Sequence, residues 1–448
     1  MKYDVIIIGS GPAGYIAAVR AGQIGLKTAI IEKKDIGGMC LNWGCVPIKS
    51  LIESAKFYNK IKKAHDFGIK GIDPKVLEFD WLESQKRASG IVKKLTKGIE
   101  KLLKKNKVAI IKGEAKITSK NSVTVNNRNL EADKIIIATG SKPAPLKHQF
   151  NKKFIIELEE LNKLKEIPKK LAVYGHGPVA IEIAQLFRLI DKDVTLFYEA
   201  DDLVPGLDKF LTSYIISSME KQGIQVIKTN SIKPGTKNNS IDVNKKTFKF
   251  DKLINCSWRN AVIPDSKKEI KTEKGFIKTN LFLQTNIPSI YAIGDVNGES
   301  FLAHSASAQG FFAINHSEGI KGEIQLHNYP MNIYSNPEVA QIGKTEQQLK
   351  DLEIDYMVTS YPLSLNSKAL AEGNEEGFIR ILSEKKLGEV LGVQIVSHNA
   401  TDMIAEATAF MSVEATVYDV AKTVHAHPTI SEVFMEAGHD AIGQALHK

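Results

Sequence analysis

The chain has 448 residues, room for about three domains of ordinary size, and its 43% hydrophobic and 25% charged content is that of a soluble globular protein. Lysine and arginine (60) exceed acids (51) by nine, but the excess is spread and lysine-rich, without the arginine and aromatic clusters of nucleic-acid recognition. No apolar run approaches the roughly 18 residues of a membrane span, so neither nucleic acid nor membrane is an expected partner.

Taken in order, Tyr3 to Ile8 is an apolar, β-rich run that leads into Gly9-Ser-Gly-Pro-Ala-Gly14 and a helical segment, Tyr15 to Ile24. A second strand, Lys27 to Ile31, ends at Glu32. Strand, glycine turn and helix open a Rossmann unit, in which Gly9, Gly11 and Gly14 let the backbone approach a pyrophosphate at the helix N-terminus. Glu32 is placed to accept hydrogen bonds from a ribose. The N-terminus runs straight into this strand, so no targeting peptide is visible and a cytoplasmic setting is expected.

Two of the three cysteines follow, in Gly37-Gly-Met-Cys-Leu-Asn-Trp-Gly-Cys-Val-Pro-Ile-Lys49. Pro47 favours the first turn of a helix, which would place Cys45 at the positive end of a helix dipole and lower its pKa. By residues alone the pair suits thiol-disulfide exchange, a structural disulfide, or two buried thiols. Lys49 to His65 and Trp81 to Lys105 read as helices, the second with Ile91, Leu95, Ile99, Leu102 and Leu103 on one face and lysines on the other. Short strands are expected at Val108 to Ile111, Lys116 to Ile117 and Ser122 to Val125, followed by Lys134 to Pro143, which includes Thr139 and Gly140.

The pattern then repeats. Leu171 to Tyr174 is a strand and Gly175-His-Gly-Pro-Val-Ala180 a second glycine turn, offset 166 residues from Gly9. Ala180 stands at the third glycine position, which needs only a small residue. Two Rossmann units imply two dinucleotides. At the end of the next strand, Asp193 to Tyr198, the acid arrives one residue late, as Glu199, and no arginine lies between Arg188 and Arg259. An acid there favours NAD over NADP; read without a ligand, Glu199 is an exposed loop acid.

The cysteine segment resembles the redox-active disulfide of the flavin-dependent disulfide reductases, a group that includes dihydrolipoamide dehydrogenase and glutathione reductase. Met39 and Ile48 stand where that family commonly has Thr and Ser or Thr. Lys134 to Pro143 is similar to the segment by which the family leaves its first nucleotide domain. Thr279 to Val296 resembles its second flavin motif, with Gly294 and Asp295 against the ribityl chain and pyrophosphate. Phe301 to Gly310, which contains Ala303, resembles the Leu-Ala-His segment of the dihydrolipoamide dehydrogenases more than its glutathione-reductase counterpart. One departure is clear: where relatives read Ile-Gly-Arg-x-Pro, Trp258 replaces the glycine and Ala261 the proline. Cys256, without a cysteine neighbour, reads as a small buried apolar residue.

From about Asn328 the chain alternates or runs apolar over Tyr334 to Gly343, Gly377 to Leu382 and Leu391 to Val396, with helices expected at Asp402 to Val413 and Val417 to Val424. This part resembles the family's dimerisation domain. Near the end stands His425-Ala-His-Pro-Thr-Ile-Ser-Glu432. Pro428 keeps His427 extended at a helix mouth, and Thr429 to Glu432 fits a capping box. The resemblance adds that His427 is the acid-base group, contributed across a dimer interface, with Glu432 holding its imidazole.

The expected fold is α/β, with two Rossmann-like dinucleotide-binding domains and a C-terminal α+β dimerisation domain. The expected divisions are 1–142 for FAD, 143–262 for NAD, 263–328 as a central segment completing the FAD site, and 329–448 as the interface domain. The resemblance implies a homodimeric dihydrolipoamide dehydrogenase that serves a lipoyl-bearing acyltransferase or carrier protein of a 2-oxo acid dehydrogenase or glycine-cleavage system. Cys40, Cys45, His427 and Glu432 would be catalytic. Gly9, Gly11, Gly14, Glu32, Lys49, Thr139, Gly140, Gly294, Asp295 and Ala303 would hold FAD; Gly175, Gly177, Ala180, Glu182 and Glu199 would hold NAD. Lys49 and Glu182 would flank the flavin ring, or form only an ordinary salt bridge. No metal is expected. The alternatives are a related reductase of another disulfide, glutathione-type included, and a non-catalytic flavoprotein scaffold.

Overall fold

The computed structural model describes residues 2–236, 239–321 and 328–448. Two compact units emerge, Met1–Pro168 with Ile254–Leu326, and Lys169–Leu253 with His327–Lys448.

The first unit opens with strand β1 (Lys2–Ile8), helix α1 (Pro12–Gln23) and strand β2 (Thr28–Glu32). Helices α2 (Gly38–Asn42), α3 (Cys45–Ile61) and α4 (Trp81–Lys105) follow, then strands β3 (Ala109–Lys112), β4 (Lys116–Ser119), β5 (Ser122–Val125) and β6 (Arg128–Ile137). The sheet runs β3-β2-β1-β6-β5-β4, and the strand Ile290–Ala292 also pairs with β6. β3, β2, β1, β6 and Ile290–Ala292 are parallel, whereas β4 and β5 join antiparallel. The ten-residue β6 therefore belongs to two structures: its first residues close a meander, and its last lie in the centre of the parallel sheet.

A parallel sheet covered on both faces needs apolar residues throughout, and β1 supplies them. Val5 and Ile7 face α1, where Ala13, Ala17, Ala18 and Ala21 keep the helix close. Ile6 and Ile8 point the other way, toward Ile117, Val123 and Val125 of the meander. On α4 the expected apolar stripe is only partly realised. Trp81, Ala88 and Leu103 are buried, but Leu95 and Leu102 are exposed, because the helix packs along one edge and its remaining turns stay in solvent.

In the second unit the strands Lys170–Gly175, Asp193–Tyr198 and Gln225–Lys228 pair in parallel, with helix Pro178–Leu189 following the glycine turn. Residues beyond 327 form a five-stranded antiparallel sheet in the order Met331–Ile333, Glu338–Gly343, Val390–Ser397, Phe378–Glu384, Tyr356–Pro362. Helices Ala400–Ser412 and Glu432–Ala441 supply Met403, Ile404, Val433 and Phe434 to its core with Ile381 and Val393. Cys256 is buried and belongs to no disulfide among the described residues, as its sequence context implies.

Candidate active site

The first unit encloses a cavity of about 400 Å³ along the carboxyl ends of the parallel strands, where doubly wound sheets hold ligands. Its floor is the turn between β1 and α1. Gly9 adopts φ +101°, and a Cβ there would stand 2.3 Å from the Ala138 carbonyl oxygen. Gly14 lies against that turn, where a Cβ would meet the Gly9 oxygen at 2.0 Å. Gly11, by contrast, has open space above it and caps α1 without a side chain, leaving the first-turn N–H groups for a ligand.

Glu32 closes one end. Its Oε2 accepts from the Ser10 N–H (2.9 Å) and hydroxyl (2.7 Å), and its Oε1 from the Lys34 N–H (2.9 Å). Thr139 Oγ1 is buried, lacks any partner among the described residues, and belongs to a residue lining the cavity. Opposite, Gly294 takes φ +71° and donates its N–H to Gln309 Oε1 at 2.7 Å, while Ala303 begins a helix that has no side-chain cap. A bare pyrophosphate turn, a helix N-terminus, a carboxylate at the strand end and an orphaned hydroxyl fit a dinucleotide.

The same cavity is lined by Cys40 and Cys45. They form a disulfide whose Cα atoms are 4.6 Å apart. Cys40 lies in α2 and Cys45 is the first residue of α3, whose N-cap, Gly44, brings no side chain to the dipole end. A sulfur released as thiolate at Cys45 therefore faces unopposed backbone N–H groups, which favour its charge.

Other residues at this site carry no role expected from the sequence. Ser141, next to the predicted Thr139 and Gly140, donates its hydroxyl to Asp295. Arg259 is nearly buried and donates to the Ser141 hydroxyl (2.6 Å), the Ser141 carbonyl (3.0 Å) and the Met39 sulfur (2.6 Å), with Asp295 3.5 Å away. Burial pushes the guanidinium pKa down, against the opposing pull of Asp295. Trp258 packs edge-on against Phe301, which lines the cavity and also meets Phe276. A glycine in the place of Trp258 would leave that aromatic face open.

Of the residues expected to hold FAD, all but Gly14 and Lys49 line the cavity. Lys49 lies one turn beyond Cys45 in α3. The residues expected to hold NAD belong to the second unit. Gly175 and Gly177 take φ +144° and +82°, and Ala180 is fully buried in the helix that follows. Glu182 is buried and accepts from the Tyr334 N–H at 3.2 Å. Glu199 follows directly after the strand Asp193–Tyr198 and is no free loop acid: burial first, then a hydrogen bond with Glu199, pushes the Tyr174 phenol well above its ordinary pKa.

Also in the second unit, His427 Nδ1 lies 2.8 Å from Glu432 Oε1, with the imidazole 72% exposed. The capping box expected at Thr429 to Glu432 does not form as such. The helix starts at Glu432 itself, Ser431 is its N-cap, and the Thr429 hydroxyl turns back to the Ala426 carbonyl. Half of the arrangement survives, since Glu432 Oε2 accepts the Thr429 N–H at 2.7 Å. One carboxylate thus ties the turn and holds the imidazole. Burial would raise the Glu432 pKa, but those two hydrogen bonds outweigh it and hold the pKa low.

The family description "pyridine nucleotide-disulphide oxidoreductase" matches residues 3–310, and its dimerisation domain matches residues 329–438. The chain belongs to this family of flavoprotein disulfide oxidoreductases, whose cofactors are FAD and NAD(H). It is 35% identical to a dihydrolipoyl dehydrogenase of Bacillus subtilis, over 100% of this chain and 98% of the relative. It is 36% identical to a leghemoglobin reductase of Vigna unguiculata, over 97% and 86%. The solved structure of the HOCl-induced flavoprotein disulfide reductase RclA from Escherichia coli shares the fold, with TM-score 0.84, 22% identity and coverage of 96% and 98%. Among the described residues no helix is long and apolar enough to cross a membrane.

Proposed function

We propose that the chain is a dihydrolipoyl dehydrogenase, acting as a cytoplasmic homodimer that reoxidises dihydrolipoamide carried by a 2-oxo acid dehydrogenase or glycine-cleavage system. The observation that carries this reading is the Cys40–Cys45 disulfide in the wall of a dinucleotide cavity. Gly9, Gly11, Glu32, Thr139, Gly140, Gly294, Asp295 and Ala303 hold FAD, which when bound provides two-electron passage between the sulfur pair and NAD. NAD is held by Gly175, Gly177, Ala180, Glu182 and Glu199, and the Glu199 carboxylate disfavours the extra phosphate of NADP.

The dithiol chemistry belongs to the protein. His427, supplied from the other subunit and steadied by Glu432, takes a proton from one substrate thiol. The thiolate attacks Cys40 Sγ; the Cys40–Cys45 bond breaks, and Cys45 leaves as a thiolate at the α3 N-terminus. The second substrate thiol then attacks the sulfur joined to Cys40, closing the substrate disulfide. Cys40 leaves with one proton, and the other remains on His427. Two electrons and two protons have passed from substrate to enzyme.

A second reading, a reductase of a different disulfide, is favoured by Trp258, whose indole builds the Phe301 wall at a position where the family has glycine. Purified protein assayed with dihydrolipoamide, glutathione disulfide, NAD and NADP separates the two. Turnover confined to dihydrolipoamide with NAD is expected, and turnover confined to another disulfide would replace the proposal with the second reading. A protein whose flavin NADH does not bleach anaerobically would be a scaffold.

A further inference from the structure

Asp295 lines the cavity just beyond the strand Ile290–Ala292, and its main chain is held where the Gly294 N–H bonds to Gln309. Its side chain is held from elsewhere. The strands Ser141–Pro143 and Arg259–Ala261 pair antiparallel, with Ser141 opposite Ala261 and Arg259 opposite Pro143. Ser141 and Arg259 are therefore diagonal neighbours on one face of this ribbon, a span that a long side chain bridges. Arg259 Nε donates to the Ser141 hydroxyl oxygen at 2.6 Å, and Nη2 donates to the Ser141 carbonyl at 3.0 Å and to the Met39 sulfur at 2.6 Å.

These contacts fix the guanidinium plane and, with it, the direction of the next hydrogen bond. An arginine carries only donors, and a serine hydroxyl has a single proton. With an Arg259 N–H already on its oxygen, Ser141 gives that proton to Asp295 Oδ2. The same carboxylate oxygen faces Arg259 Nε at 3.5 Å. Oδ2 is thus committed to the protein, whereas Oδ1 accepts no hydrogen bond among the described residues.

We propose that Arg259 is a positioning residue for FAD: through the Ser141 hydroxyl it pins Asp295 Oδ2, which leaves Oδ1 to accept a hydroxyl of the cofactor. The inference rests on the reading of Asp295 as an FAD residue. Water competes little for the relay, because the Arg259 and Asp295 side chains are only 12% and 16% exposed. The nearby cation also strengthens the hydroxyl as a donor. Holding the ribbon together is a role the backbone already fills, since the Val262 N–H bonds to the Gly140 carbonyl at 2.9 Å and the Ala144 N–H to the Trp258 carbonyl at 2.7 Å.

The test is FAD retention by the holoenzyme, read as flavin fluorescence released on dilution and ultrafiltration. Ser141→Ala and Arg259→Met should each weaken retention about ten- to a hundredfold, the range for one hydrogen bond to a charged group. Because both cut the same relay, the double variant should retain FAD about as well as the worse single, whereas two separate structural losses would multiply. Arg259→Lys, which keeps a cationic donor but not the fork, should lose less than Arg259→Met, and it keeps the cycle readable if the methionine variant does not fold. Asp295→Asn should weaken retention by itself and make the further change at Arg259 nearly silent. Losses that multiply in the double variant, or unchanged retention in both singles, overturn the relay and leave the FAD role of Asp295 standing. Unchanged retention in Asp295→Asn removes that role, and the proposal with it.

Discussion

The sulfur site of the first unit and the imidazole site of the second are made of different material. Around Cys40 and Cys45 the working parts are mostly backbone: a glycine turn with no room for a Cβ at Gly9 or Gly14, an uncapped helix start, and N–H groups facing a cavity. Around His427 they are side chains, with a carboxylate that both ties a turn and holds an imidazole. A backbone site tolerates few substitutions but responds little to pH. A side-chain site can be retuned by its neighbours, and pH governs it.

The largest expected effect breaks the first site. Cys45→Ser should lower dithiol turnover by on the order of 10⁴-fold or more, since no disulfide remains to be attacked, while NADH still bleaches the flavin in a stopped-flow experiment. His427→Gln, the matching change in the second site, should cost about 10²–10⁴-fold in dithiol oxidation, the usual range for a general base. Flavin reduction by NADH should be nearly unchanged in that variant.

Gly9→Ala sharpens the contrast because it adds a single Cβ to the backbone turn. The left-handed conformation and the clash with the Ala138 carbonyl should together cost about 1–3 kcal/mol, read as weaker FAD retention on dialysis at every pH. The smallest effect belongs to His425, which lies beside the second site. Its hydrogen bond to Glu406 raises its pKa against the lowering effect of burial. A raised histidine pKa contributes stability that is fully present below the unfolded value of about 6.5 and lost as pH rises through the folded value. His425→Gln should therefore lower the melting temperature by about 2–4 °C at pH 6 and by less at pH 9, as measured by scanning calorimetry.

The same contrast explains what could be read from residues alone. The glycine turns announce themselves because backbone geometry admits few residue types there. Strand β5 and helix α4 fall where periodicity places them. Ser141 and Arg259 were missed because the partners that give them meaning, Asp295 and Met39, come from distant parts of the chain. The capping box misled for a related reason: the Thr429 hydroxyl turns back to the Ala426 carbonyl, and the helix begins two residues later than its sequence signature implies.

Cys40 and Cys45 belong to successive helices, and the short link between them is itself tied down, with the N–H groups of Trp43 and Gly44 both bonded to the Met39 carbonyl. Parting the sulfurs thus asks only for side-chain rotation, since each helix keeps its own ladder. The protein can store a pair of electrons the way a capacitor stores charge, on two helices that each keep their own ladder.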